Sequence, residues 1–86
     1  MRRAKATNPV GAMILGALAV HGWSQRDLAR RTDLTPKHIC HLVSGKSGMS
    51  AVVALRFELA LGIPAREWLH LQGVVDLKRA RKKRRS

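Results

Sequence analysis

Apolar residues recur at helical spacing through most of the chain, and glycine, proline and small polar residues interrupt them at intervals. Apolar positions that return every three to four residues form one face of an α-helix. No segment shows the alternation of apolar and polar residues that is typical of a β-strand. The pattern therefore predicts an all-α chain of five helices.

Residues that cap helices stand before the apolar segments and set the predicted helix starts. Asn8-Pro9 begins the first helix, because asparagine accepts a hydrogen bond from the first turn and proline fits the first helical position. Gly22 ends this helix, since glycine readily adopts the left-handed conformation that terminates helices. The other four helices are predicted to begin at Ser24, Thr35, Ser50 and Pro64.

The five helices suit one small domain in a chain of 86 residues. We place this domain at residues 8–77, after a basic N-terminal arm at residues 1–7. The segment KRARKKRRS, residues 78–86, has seven basic residues in nine and forms a basic C-terminal tail. Because like charges repel one another, we expect this tail to fray or to be disordered unless it is bound.

The segment TPKHICHLVSGK, residues 35–46, predicts a short helix with two unlike faces. At about 100° per residue, its apolar residues fall on one side of the helix and its polar residues on the other. The apolar side consists of Ile39, Leu42 and Val43. The polar side consists of Lys37, His41 and Ser44, and it carries no acidic residue. The helix is thus predicted to present a hydrogen-bonding front on an apolar back.

The helix before this segment is predicted to end at about Thr32, so that only a tight turn separates the two. Small Ala29 would let the two helices cross closely. Two short helices with this spacing predict a helix-turn-helix over about residues 24–43, whose second helix fits the major groove of DNA.

The charge of the chain favours a polyanionic partner. The formal net charge is +12, from 17 Lys and Arg residues against 5 Asp and Glu residues. This excess points first to nucleic acid and second to an anionic membrane surface. The aromatic residues are Trp23, Phe57 and Trp68, and we expect both tryptophans to lie in the core. So few aromatic residues argue against base stacking on single strands, and double-stranded DNA is the predicted partner.

Residues early in the third helix are predicted to contact base edges, because lysine donates to guanine and histidine donates or accepts. These residues are Pro36, Lys37, His38 and His41. Phosphate contacts are predicted at helix starts and at nearby polar side chains. These are Ser24, Gln25, Arg26, Arg30, Thr35, Ser44 and Lys46. For Arg26, Arg30 and Arg31, a solvated helix face is the alternative.

The two basic ends of the chain are predicted to contact DNA without reading its sequence, because lysine and arginine neutralise phosphates. These contacts are assigned to Arg2, Arg3, Lys5, Lys78, Arg79, Arg81, Lys82, Lys83, Arg84 and Arg85. Two alternatives remain for the C-terminal tail. It could bind an anionic membrane, although no amphipathic apolar face accompanies it, or it could be a linker to a further domain.

The stretch SQRDLARRTDLTPKHICHLVSGK, residues 24–46, resembles the helix-turn-helix of the lambda-repressor-like (Cro/C1, XRE) regulators. Gln25 stands where that family often has a phosphate-contacting glutamine, and Ala29 matches its small crossing residue. The stretch GMSAVVALRFELALGIPAREWLHLQGVVDL, residues 48–77, resembles the HigA-type antitoxin branch. The resemblance covers roughly residues 8–77. It implies a five-helix DNA-binding domain that binds an operator as a dimer.

Two functions follow from these observations. The first is a sequence-specific transcriptional regulator, a repressor of the phage-repressor, Cro-like or HigA-like kind, which occludes a promoter. The alternative is a HigA-type antitoxin that neutralises a toxin nuclease and also represses its own operon. A membrane-surface or RNA-binding polycation is a third, weaker class.

The side chains with reactive groups do not predict catalysis or metal binding. His38 and Cys40 lie far apart around the helix, and His38 and His41 have no second ligand pair with which to hold an ion. Cys40 has no suitably placed base, and we interpret it as a small, partly buried packing residue. We therefore expect no metal, no cofactor and no enzymatic activity.

The fourth predicted helix, AVVALRFELAL, is apolar on nearly all sides. It could be the central helix of the bundle. Alternatively, its excess apolar face, with part of the fifth helix, joins a second subunit. We favour the second interpretation, a homodimer that places two recognition helices about one turn of DNA apart.

The single cysteine cannot form an internal disulfide bond, which indicates a reducing cytoplasm. No apolar run is long enough to span a bilayer. The apolar segment near the N-terminus lacks a clear small-residue cleavage site, which argues against a signal peptide. We therefore expect a cytoplasmic, nucleoid-associated protein without a membrane partner.

Overall fold

A computed structural model describes residues 8–85, with side chains through residue 83. These residues form five α-helices and no strand, as the sequence predicted. The helices are α1 (Pro9–His21), α2 (Gln25–Thr32), α3 (Pro36–Ser44), α4 (Ala51–Leu61) and α5 (Ala65–Arg85). None of the described helices combines the length and the apolar character that crossing a membrane requires.

The predicted caps begin the first four helices. Asn8 Oδ1 accepts a hydrogen bond from the Gly11 N–H at 2.9 Å. The hydroxyl groups of Ser24, Thr35 and Ser50 accept equivalent bonds at the starts of α2, α3 and α4. At its other end α2 stops at Asp33, whose φ of 58° is the one positive φ outside glycine among the described residues. Aspartate tolerates this left-handed conformation better than most side chains.

All five helices contribute to one core. Phe57 of α4 meets Trp68 of α5 edge to face, with 5.1 Å between the ring centroids. Both rings are fully buried, which confirms Trp68 as a core residue. Trp23 is instead half-buried at the edge of the core. It lies stacked with the His21 ring and under the Arg31 guanidinium, because it follows the end of α1 rather than lying within a helix.

α4 is not buried on all sides. Its inner face is buried and consists of Val53, Ala54, Phe57 and Leu61. Its other apolar side chains form a stripe at helical spacing, Val52, Leu55 and Leu59, which we call the α4 stripe. Between 54% and 87% of each of these three residues is exposed.

α5 runs farther than the sequence predicted. It continues without interruption from the apolar domain into the basic segment and ends only at Arg85. No proline or glycine follows Gly73, and lysine, arginine and alanine favour the helix. Cations near a helix C-terminus also interact favourably with the helix dipole. The expectation of a frayed tail is therefore corrected for residues 78–85.

α1 and α3 approach each other closely. Gly11 of α1 is buried against the backbone of Val43, and a Cβ atom at Gly11 would collide with the Val43 carbonyl oxygen. Ala29 of α2 is also buried, as predicted for a small residue at the crossing of α2 and α3. The third helix is thus held between two close neighbours.

Replacing Gly11 with alanine is expected to lower the free energy of unfolding by about 1–3 kcal/mol, because backbone must move to admit the methyl group. The matched control is Gly16→Ala in the same helix, where a Cβ atom would meet nothing within 4 Å. The control should raise the unfolding free energy by about 0.5–1 kcal/mol. Urea unfolding followed by circular dichroism measures both values, and equal effects would contradict the close contact.

Candidate nucleic-acid interface

The third helix turns its polar residues away from the core. Ile39, Leu42 and Val43 are fully buried, which confirms the predicted inward face. The predicted base contacts lie on the remaining surface. Pro36 and Lys37 are exposed, and His38 and His41 are half-buried. The first turn is fixed by the Thr35 hydroxyl, which accepts a hydrogen bond from the His38 N–H at 3.0 Å.

Cys40 is exposed rather than partly buried. Its position on the helix lies beside Lys37 and Ser44, on the polar side. The interpretation of Cys40 as a packing residue is therefore wrong. Within the described part of the chain, no group of three His, Cys, Asp or Glu side chains is placed to hold a metal ion.

The turn between α2 and α3 is held from α4. Arg56 Nη1 lies 3.3 Å from the carbonyl oxygen of Thr32 and 3.3 Å from that of Asp33. Carbonyl groups at the end of a helix have no partner within the helix, so a guanidinium that donates to them stabilises the helix end. The sequence did not indicate this role for Arg56, because the partner residues are 23 and 24 positions away.

The loop between α3 and α4 is held from α5. Arg79 Nη2 donates to the carbonyl oxygen of Gly45, the residue that caps the end of α3, at 3.0 Å. Gln72 Oε1 accepts from the Met49 N–H at 2.7 Å. The Gln72 amide is oriented in turn by Asp76, whose Oδ1 accepts from Gln72 Nε2 at 3.0 Å. Residues of α5 therefore fix both ends of the loop that contains Lys46, which is exposed.

The start of α2 carries a reciprocal capping box. The Asp27 N–H donates to Ser24 Oγ at 3.1 Å, and the Ser24 N–H donates to Asp27 Oδ2 at 2.8 Å. The bonds to the Ser24 backbone and side chain, and then the charges of Arg30 and Arg31, hold the pKa of the Asp27 carboxyl below its ordinary value of 3.8. A carboxylate therefore stands at the helix start where phosphate contacts were predicted.

The residues around this capping box that were predicted to contact phosphate differ in their exposure and in their bonds to neighbouring groups. Arg30 forms an ion pair with Asp27 at 2.9 Å, so that part of its charge is already balanced. Arg26 is exposed, whereas Gln25 is half-buried. Ser44 at the end of α3 is half-buried, and its hydroxyl group donates to the His41 carbonyl oxygen at 3.3 Å. Arg26 and Lys46 are exposed, and among the described residues neither forms an ion pair as Arg30 does.

Acidic side chains are few, and three of the five serve as local hydrogen-bond acceptors. Besides Asp27 and Asp76, the Glu58 carboxylate accepts from the Ala65 N–H at 2.6 Å and joins α4 to the start of α5. The remaining two acids are Asp33 and Glu67. The outward face of α3 carries none of them. An anionic ligand can therefore approach α3 without direct repulsion from that helix.

Of the two basic ends of the chain, the structure describes only the C-terminal one. The predicted contacts Arg2, Arg3 and Lys5 lie outside the described residues. Lys78, Arg79, Arg81, Lys82 and Lys83 lie on the last turns of α5 and are exposed. Arg84 and Arg85 continue the same helix. The predicted C-terminal contacts thus lie along one helix, which is bonded through Arg79 to the residue that caps α3.

Solved structures share this fold, and two of them are similar to nearly the whole chain. One is a candidate antidote protein of a plasmid maintenance system from Nostoc punctiforme PCC 73102, with a TM-score of 0.84 and 25% sequence identity. That match covers 94% of this chain and 88% of that chain. The other is a hypothetical protein from E. coli, with a TM-score of 0.82 and 21% identity, and it covers 94% of this chain and 83% of that chain. No protein-family model and no curated protein matches the chain. In fold, the chain is similar to a candidate antidote protein along nearly its whole length.

Proposed function

We propose that the protein is a sequence-specific, double-stranded-DNA-binding transcriptional regulator without enzymatic activity, and that it acts as a repressor at the nucleoid. The observation that carries the proposal is the outward face of α3. This face is polar and free of acidic residues, and its apolar back is buried. Arg56 of α4 holds the turn that precedes the helix, and Arg79 of α5 holds the residue that caps its end. A helix held in this way is suited to insertion into the major groove.

Different residues take different parts in the proposed complex. Lys37, His38 and His41 contact base edges, and their identities set the sequence preference. Lys46 and Arg26 contact phosphates on either side and set the register of the domain on the duplex. With a net charge of +12, the protein gains most of its affinity from released counterions, so binding weakens steeply as salt rises. Repression follows from occlusion of the promoter.

An antitoxin is the second candidate function. It is favoured by the fold shared with a candidate antidote protein over 94% of this chain. A toxin nuclease binds a polyanion and therefore needs a cationic substrate site. A partner with a net charge of +12 and few acidic side chains is poorly suited to cover such a site by charge. We therefore propose that any toxin would contact the apolar α4 stripe rather than the basic surfaces.

If a gene for a small nuclease lies directly beside the gene for this chain, coexpression of the two provides the discriminating experiment. Coexpression of that nuclease with this chain should restore growth if the chain is an antitoxin. Growth arrest that persists despite a normal level of this chain contradicts the antitoxin function but leaves DNA binding intact.

We also propose that the protein is a homodimer joined through the α4 stripe. The three side chains of the stripe lie on one face, and their large exposed fractions leave apolar area to be covered. Two copies related by a twofold axis would each contribute the same stripe, as closed dimers require. This arrangement pairs two α3 helices for a palindromic operator.

Replacing Leu59 with glutamate is expected to weaken the dimer, because each copy loses a buried leucine worth about 1.5–3 kcal/mol. Two symmetric losses amount to about 3 kcal/mol or more, which is about a hundredfold rise in the dissociation constant. Val20→Glu is the control, since Val20 is 85% exposed on α1 and lies outside the stripe. Analytical ultracentrifugation measures both variants. Equal weakening by the two variants, or a monomeric wild-type protein, contradicts this dimer.

Replacing Lys37 with alanine is expected to cost about 1–3 kcal/mol at the preferred site and to relax base choice at one position. Replacing Lys46 with alanine is the control, because loss of a phosphate contact should weaken all sequences alike and reduce the salt slope by about 1. Selection from random duplexes, followed by binding titrations at several salt concentrations, measures both effects. Uniform weakening by Lys37→Ala contradicts a base contact. Equal wild-type affinity for random duplexes, genomic duplexes and RNA contradicts the proposed function.

A further inference from the structure

The last turns of α5 are attached to the rest of the protein at one specific point. Arg79 lies 34 positions from Gly45 in the sequence, yet its guanidinium donates to the Gly45 carbonyl oxygen. Gly45 ends the third helix, and Lys46 follows it directly. The basic segment thus begins at the loop that leaves the proposed recognition helix.

We propose that Arg79 is a positioning residue that fixes residues 78–85 as a rigid helical arm beside α3. We call this segment the basic arm. In this proposal the arm binds the phosphate backbone of duplex DNA next to the groove that α3 enters, and it is not a flexible polycation. The proposal rests on the proposed function, because it assigns a second surface to the same DNA complex.

Three residues of α5 form the attachment, and they lie on one face of the helix. Gln72 holds the Met49 N–H, Val75 is buried in the core, and Arg79 holds the Gly45 carbonyl oxygen. Their spacing of three and four positions places them in one row along the helix. The row joins the α3–α4 loop to α5 at both ends of the loop. A helix attached in this way cannot rotate about its axis without breaking these contacts.

The same row determines where the remaining cations of the arm lie. Lys82, three positions after Arg79, continues this row, and Lys78 lies next to it, whereas Arg81 projects to another side of the helix. All three are exposed. Lys78, Arg79 and Lys82 also line a shallow groove with Asn8 and Pro9 at the start of α1. The start of α1 and the first turn of the basic arm therefore meet at one corner of the domain, where Arg79 also bonds to the residue that caps α3.

A fixed arm and a flexible tail of equal charge differ in the entropy that binding removes. A flexible segment must lose backbone and side-chain freedom when it settles on DNA, and this loss reduces the affinity gained from its charges. A helix that is already docked has lost its backbone freedom before binding. The arm should therefore contribute more affinity for the same charge, and only while its geometry is intact.

Arg79→Ala and Arg81→Ala provide a matched test, because each removes one charge from the same helix and only Arg79 bonds to the loop. The probe is mixed-sequence genomic duplex DNA, since the arm contacts no bases. Arg81→Ala should lower the salt slope by about 1. Arg79→Ala should reduce affinity roughly tenfold more than Arg81→Ala, since it also releases the arm and the loop. Equal losses for the two variants would overturn the proposal.

A second pair of variants keeps the charge constant and changes only the helix. Ala80→Pro removes a helical hydrogen bond and clashes with the preceding turn, whereas Ala80→Gln keeps the helix. Ala80 is exposed and lies beyond Val75, the last buried residue of the core, so thermal melts should show an intact domain for both. Ala80→Pro should weaken binding to the same DNA roughly tenfold relative to Ala80→Gln. If the two variants bind this DNA equally, the arm acts as a flexible polycation, and the proposal is overturned.

Amide hydrogen exchange without DNA separates failure of this inference from failure of the proposed function. The Ser47 N–H donates to the His41 carbonyl oxygen and the Met49 N–H to Gln72, so both amides report on the loop. Arg79→Ala should speed exchange at Ser47 at least severalfold, while Arg81→Ala leaves it unchanged. If exchange at Ser47 is unchanged in both variants, Arg79 does not hold the loop, and the proposal is overturned. A wild-type protein with this attachment and no affinity for duplex DNA refutes the DNA function, and with it the role of the arm.

Discussion

The burial of one face of α3 is the constraint on which the rest of the structure depends. Ile39, Leu42 and Val43 are fully buried, and α1 packs so closely that Gly11 has no room for a side chain beside Val43. Because a close-packed interior resists displacement, this contact fixes the rotation of α3 about its own axis. The rotation in turn decides that Lys37 faces outward. A helix seated more loosely would present the same residues at varying angles, whereas the proposed base contacts require one fixed angle.

Side-chain bonds from the last two helices complete this fixation. Arg56 of α4 binds the turn before α3, and Arg79 of α5 binds the residue that caps its end. Both arginines donate to backbone carbonyl groups at helix ends, where the helix dipole favours a cation. The excess of arginine in this chain therefore has two uses. Some guanidinium groups hold the interface in place, and others remain exposed on it.

The two candidate functions involve two surfaces of different chemistry, one basic and one apolar. The acid-free front of α3 and the cations of the basic arm suit a phosphate backbone, whereas the α4 stripe suits another apolar protein surface. An operator-binding dimer uses both surfaces at once. An antidote that also represses its operon would have to cover the stripe either with a second copy or with a toxin. Because the fold is similar to that of a candidate antidote protein, which of these two partners covers the α4 stripe would distinguish the two functions.

The sequence by itself determined the helices, because caps and apolar spacing act between residues a few positions apart. Asn8, Ser24, Thr35 and Ser50 cap the helices that they were predicted to begin, and the inward face of α3 follows from the spacing of its apolar residues alone. Only the tertiary structure decided the roles of Arg56, Gln72 and Arg79, since each bonds to backbone more than twenty positions away. It also decided that the basic segment is a helix attached to the domain. Local charge repulsion predicted fraying there, but helix propensity and a single long-range bond to Gly45 favour order.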